Sequence, residues 1–208
     1  IMAVSEALNA ELHELADAGC AAIQLEEPLL HLPGPRGNDQ DDIGPDFMIS
    51  VFNNTVKGLR AKTEVWCHTC WGNPSQQRLT PQPTSYAASI RHYDAMDADV
   101  VTFETAHAGG MDLEVYGKGI SKDKKIAIGV IDHHRLQVER PEEVADLIRR
   151  ALKHIPAERL VITSDCGMGR EGMARRHAFY KMVAMVQGTN IVRKELGLPQ
   201  ADVLAADP

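Results

Sequence analysis

The chain has 208 residues, 44% hydrophobic and 25% charged, with a formal net charge of -7. That length allows one domain with a substantial core, and the acidic balance argues against a nucleic-acid or anionic-membrane partner. No apolar run approaches the roughly 18–20 residues that span a bilayer. The opening stretch, IMAVSEALNAELHELADAG, reads as an amphipathic helix and lacks the basic-then-apolar order of a signal peptide. The four cysteines, Cys20, Cys67, Cys70 and Cys166, are therefore expected to be reduced thiols in a cytoplasm.

Helices and strands alternate along the chain. A helix over about residues 3–18 ends at Gly19, and a strand at about 21–26 is stopped by Pro28. A loop rich in Gly, Pro and Asp runs over about 32–45, before a helix at about 46–60 and a strand at about 63–68. A Pro-rich loop at about 72–83 precedes a helix at about 84–96 and a strand at about 99–104. The loop AHAGG and a short helix lead to a strand at about 126–131. Pro141 opens a helix running to about His154, and a strand at about 159–164 enters the turn DCGMGREG. A helix over about 173–196 follows.

Strands separated by helical stretches mean βα units and a parallel sheet, an α/β fold of the (β/α)8 TIM-barrel type. Five strands are visible, whereas a complete barrel has eight in about 250 residues. Either the chain is a smaller open sheet, or residues 1–208 are one domain, the C-terminal part of a barrel whose first three βα units are absent. There is no internal repeat and no linker.

The chemistry-bearing residues gather at the downstream ends of the apolar runs, where a parallel barrel places its active site. His68 and Cys70 end TEVWCHTC, Glu104 ends ADVVTFE, and Cys166 ends RLVITSDC. An imidazole, two thiolates and a carboxylate form a donor set suited to zinc. The bland alternatives are two buried sheet residues for the H-x-C pair, and a capping or salt-bridged acid for Glu104. Strand alternation puts His68 and Cys70 on one face and Cys67 on the other. In Asp132-His133-His134, the same rule pairs Asp132 with His134 and turns His133 away. His134 suits a general acid, or else is a surface histidine near a helix start. One of Glu26 and Glu27 should face the mouth, and alternation does not settle which. His31, Trp71, His107 and Tyr116 fall in mouth loops, where a role in lining a pocket competes with no chemical role at all. Arg170 lies in the glycine-rich turn after Cys166 and could assist a thiolate or an anion there.

The segments IQLEEP, HTC, DVVTFE, GVIDHH and IPAERLVITSDCGM, in this order, resemble the C-terminal catalytic barrel of the cobalamin-independent methionine synthase family. The resemblance covers nearly the whole chain. It implies Zn2+ held by His68, Cys70, Glu104 and Cys166, His134 as the acid, with Asp132 orienting it, and Glu26 on the amino group of homocysteine. It also implies a small-molecule thiol substrate, an alkyl donor, and a missing N-terminal barrel half. Departures are E-E-P where the family has D-E-P, Thr105-Ala106-His107 for the family's S-R-S, and Arg135-Leu136 for its S-P. The loop between Cys70 and Glu104 also looks longer than in typical members. Zinc-assisted thiol addition to an epoxide, as in epoxyalkane:coenzyme M transferases, is the alternative chemistry. A non-catalytic zinc-binding fragment is the alternative of another class.

Overall fold

A computed structural model describes residues 1–28, 30, 44–71, 85–169 and 172–203. The expected loops at about 32–45 and 72–83 lie almost wholly outside these residues, as do His31 and Arg170.

Among the described residues, five strands form one parallel sheet in chain order, β1 (Ala22–Glu26), β2 (Glu64–His68), β3 (Val100–Phe103), β4 (Lys125–Gly129) and β5 (Leu160–Thr163). Each pairs with the strand before it, the register running from Ala22 opposite Glu64 to Glu26 opposite His68, and from Val100 opposite Lys125 to Phe103 opposite Ile128. Among the described residues, six α-helices connect or flank them, α1 (Met2–Asp17), α2 (Pro45–Thr55), α3 (Ile90–Asp94), α4 (Leu113–Gly119), α5 (Pro141–Ala151) and α6 (Arg175–Glu195). The fold is α/β of the TIM-barrel type, and these strands form an open run of five.

The elements follow from local chemistry. α5 starts at Pro141, whose missing N–H would be unpaired there anyway. Glu143 accepts the Arg140 N–H at 3.0 Å, and Arg149 and Arg150 lie in the last turn, where cations suit the helix dipole. β3 is buried on both faces, as befits a central parallel strand. α6 packs on α5 through Gly188, where an added Cβ would lie 2.5 Å from the Val144 Cβ. Trp71, Tyr86, Tyr93, Phe103 and Tyr116 form a buried aromatic layer, with Phe103 stacked on Tyr116 at 4.2 Å and Tyr86 edge-on to Phe103 at 5.2 Å. Trp71 and Tyr116 thus belong to the core and not to an open pocket lining.

Ion pairs surround the N-terminal ends of the strands. Arg60 bridges Asp97 at 2.9 Å and Asp99 at 2.8 Å, Lys125 meets Glu64 at 2.6 Å, and Lys62 meets Asp17 at 2.7 Å.

Two expected helices are broken. The stretch at about 46–60 divides into α2 and a 3-10 turn at Leu59–Ala61, separated by Gly58 at φ 79. The stretch at about 84–96 is a 3-10 turn at Tyr86–Ala88 followed by α3, the Ser85 Oγ accepting the Ala87 N–H. The fourth strand ends at Gly129 and not at about 131. Val130 and Ile131 remain buried, but only single bonds continue the pairing, Val130 N–H to Thr163 O and Asp165 N–H to Ile131 O. No helix among the described residues is long and apolar enough to cross a membrane.

Candidate metal centre

The C-terminal ends of β2, β3, β4 and β5 bring the chemistry together. One donor atom each from His68, Cys70 and Cys166 lies within 4.8 Å of the others. A tetrahedral zinc ion with bonds of about 2.0–2.3 Å separates its donors by roughly 3.5 Å, so these three fit with little movement. The His68 Nδ1 is tied to the Thr102 hydroxyl at 2.8 Å, which leaves Nε2 for a metal. The Cys166 thiol is held well below the ordinary thiol range by hydrogen bonding with Cys70 and by the neighbouring His68, against the opposing effect of burial. That bias toward thiolate is what a metal-binding sulfur requires. Cys67, one residue before His68, is wholly buried in the core, and burial pushes its thiol far up.

Glu104, fully buried one residue past β3, falls in a second donor group with His133 and His134. Its Oε2 accepts the Trp71 N–H at 2.6 Å, one residue after Cys70, and its Oε1 lies 3.2 Å from the His134 Nε2. The carboxylate is therefore tied to the main chain after Cys70 on one side and to the imidazole on the other. Glu26, at the exposed end of β1, is in register with His68, while Glu27 donates its N–H to His68 O at 2.9 Å. The pairing puts Glu26 beside the candidate ligand, which alternation within its own strand left undecided.

Residues 132–134 lie beyond the last inter-strand bond, at Ile131, so strand alternation no longer governs them. His133, expected to turn away, is wholly buried and shares both the group with Glu104 and a third group with Asp132 and Asp165. Its ring stands 4.0 Å from that of His134, and the His107 ring stacks on His134 at 4.0 Å on a 24° tilt. Asp132 reaches His134 through the main chain, its Oδ1 accepting the His134 N–H at 2.7 Å. Its Oδ2 faces the His107 Nδ1 at 3.3 Å and the Arg135 Nε at 3.0 Å. Burial works to raise the Asp132 pKa, but His107 and the His134 N–H outweigh it and hold the carboxylate low. The same contact raises the pKa of His107.

Asp165 received no role from its sequence position, yet its carboxylate caps the loop after β3. Its Oδ1 accepts the N–H groups of Thr105 at 2.7 Å and Ala106 at 2.9 Å, and its Oδ2 that of His107 at 2.7 Å. Burial and the Glu104 charge push its pKa up to about 8 against the pull of those three donors. Gly129 makes room for it, because a Cβ there would lie 2.0 Å from the Asp165 Oδ1. A cavity of about 370 Å³ adjoins Asp132 on the α5 side, lined by charged residues including Arg135, Glu139, Glu143 and Arg150.

Residues 1–190 match the family described as the catalytic domain of cobalamin-independent synthases. A methionine synthase of Saccharolobus solfataricus is 32% identical over 193 residues, covering 93% of this chain and 51% of the relative. One from Sulfurisphaera tokodaii is 29% identical, covering 93% of this chain and 49% of the relative. The structure of a B12-independent methionine synthase from a Shewanella species, in complex with selenomethionine, is similar with a TM-score of 0.74 and 26% identity, covering 94% of this chain and 55% of that one. The chain spans about half the length of the curated relatives it matches. On the strength of a match over most of its length, the chain belongs to the cobalamin-independent methionine synthase family, in the catalytic domain.

Proposed function

We propose that this chain is the C-terminal part of a zinc-dependent methyltransferase barrel that moves a methyl group to the thiol of homocysteine, giving methionine. The observation that carries the reading is the convergence of His68, Cys70 and Cys166 donors within 4.8 Å at one end of a parallel sheet. Selenomethionine bound to the Shewanella relative is a product-like thioether analogue and fits that substrate class. Zinc, when bound, would supply Lewis acidity that favours the substrate thiolate at neutral pH.

His68, Cys70 and Cys166 would hold the metal, with Glu104 as its fourth ligand. A carboxylate oxygen is harder than a thiolate, so Glu104 would be the least firmly held of the four donors. His134 holds the proton for the leaving group of the methyl donor at its Nε2, the atom now facing Glu104. Asp132 fixes the main chain that carries this imidazole. Glu26, beside His68 and exposed, holds the substrate ammonium. A barrel half of three βα units, covering the free edges of β1 and β5, completes the pocket and supplies further contacts to the thiol and the donor. The reading places the enzyme in the cytoplasm.

The test joins this chain to its upstream barrel half and measures methyl transfer to homocysteine alongside metal content. Cys166→Ser should lose zinc and activity together, because a serine hydroxyl is a poor zinc ligand at neutral pH. His134→Asn should keep zinc and slow turnover by about 10²- to 10⁴-fold. Loss of metal from His134→Asn, with normal rate once zinc is restored, would make His134 a ligand or its support and remove the proton-donor role.

A further inference from the structure

We propose that the buried pair Lys181–Glu139 is a positioning device for the turn that carries His134, an inference that rests on the reading above for its functional meaning. β4 ends at Gly129 and its last inter-strand bond is at Ile131, so the sheet no longer dictates the path of residues 132–134. Lys181, on α6, is completely buried. Its ammonium lies 2.8 and 3.0 Å from the two Glu139 oxygens and 3.0 Å from the Asp132 carbonyl oxygen. Glu139 Oε1 also accepts the Asp132 N–H at 3.0 Å. One ion pair thus grips both main-chain polar groups of Asp132.

From there the constraint passes outward. The Asp132 Oδ1 accepts the His134 N–H at 2.7 Å, and the His134 Nε2 reaches Glu104 at 3.2 Å. α6 is in this way coupled to the imidazole through Glu139 and Asp132. An ammonium has three donors, and here they meet two carboxylate oxygens and one carbonyl. Packing alone would be served as well by an apolar side chain, because replacing a whole buried ion pair with hydrophobic residues is often neutral or stabilising. What an apolar pair cannot do is hold an N–H and a C=O of the same residue.

The experiment uses the complete barrel and three variants: Lys181→Met, the double variant Lys181→Met with Glu139→Leu, and Lys62→Met as a control at the opposite ends of the strands. Amide exchange at residues 130–134, zinc content, and kcat and KM for homocysteine are measured for each. Lys181→Met should speed exchange of the Asp132 and His134 amides about tenfold or more relative to β3. It should lower kcat about 10- to 100-fold with KM and zinc content little changed. The double variant should recover thermal stability but neither the amide protection nor kcat, and it carries the test if the single variant fails to fold. Lys62→Met should behave as the parent. Recovery of protection and kcat in the double variant would reduce the pair to a stabilising contact and overturn the proposal. Undisturbed amides at 130–134 would also overturn it. Absence of methyl transfer in the parent, with the amides still responding, would sink the proposed function and leave the positioning of the turn established.

Discussion

Asp165→Asn separates two physical effects that meet at one carboxylate. The side chain keeps its shape, so packing is unchanged, but the amide has one acceptor oxygen where the carboxyl group has two. An asparagine oxygen at the Oδ1 position keeps the Thr105 and Ala106 bonds and turns an NH2 toward the His107 N–H. One hydrogen bond is lost and two buried donors face each other, a change of about 2–6 kcal/mol when each unsatisfied donor costs roughly 1–3. In a chain of this length that corresponds to a fall in Tm of roughly 5–20 °C. The pH dependence is the sharper test. Burial and Glu104 raise the Asp165 pKa to about 8 from the model-peptide value of 3.8. A raised pKa means that the folded state takes up a proton, so the contribution of Asp165 is fully present below about pH 4 and is lost as pH rises toward 8, by up to about 1.4 kcal/mol per unit. Denaturant unfolding of the metal-stripped parent and variant across pH 4–8 should therefore show the parent's advantage shrinking as pH rises. An advantage that grew with pH would mean that the three N–H donors hold Asp165 ionised, and would refute the dominance of burial.

Gly129→Ala should destabilise the fold by at least about 1–3 kcal/mol, since its Cβ would lie 2.5 Å from the Asp165 Cα as well as against the side chain; a Tm within a degree of the parent would refute that close approach. Thr102→Val removes the hydroxyl on the His68 Nδ1 and should weaken zinc affinity about 10- to 100-fold in chelator competition, and unchanged affinity would show that the hydroxyl does not orient the ring. In the metal-stripped protein, Cys166 should react with iodoacetamide at a rate nearly flat from pH 7 into mild acid, while buried Cys67 stays unmodified; a tenfold fall per pH unit at Cys166 would mark an ordinary thiol.

The alternation of helices and strands was legible because apolar runs mark the strands and glycine or proline stops fall at several boundaries; four of the five strands have both ends within a residue of the expected segments, and the fourth stops two residues early. Strand ends were less so. Val130 and Ile131 are as apolar as the strand before them, so the sequence offers no sign that pairing thins after Gly129. The face given to His133 failed for that reason. The residues grouped as metal donors announce themselves by type, since histidine, cysteine and glutamate are rare at the ends of buried strands. Their supports do not. Asp165 is bonded to N–H groups about 60 residues away, and Lys181 reads as a solvated helix lysine until the fold turns it inward. Glu139 likewise sits in a polar stretch with nothing to mark its partner. Such pairings depend on tertiary geometry and leave no local pattern.

The chain-order pairing of the sheet has a consequence for how the molecule is made. Each strand finds its neighbour in the segment synthesised just before it, so the sheet can lengthen one βα unit at a time in the direction of translation. Contacts between adjacent units keep loop closure short and entropic barriers low. Because His68 and Cys70 arrive with β2 and Cys166 only after β5, the group of one imidazole and two thiols would be assembled last, and a nascent chain stalled before β5 would expose Cys70 without its Cys166 neighbour.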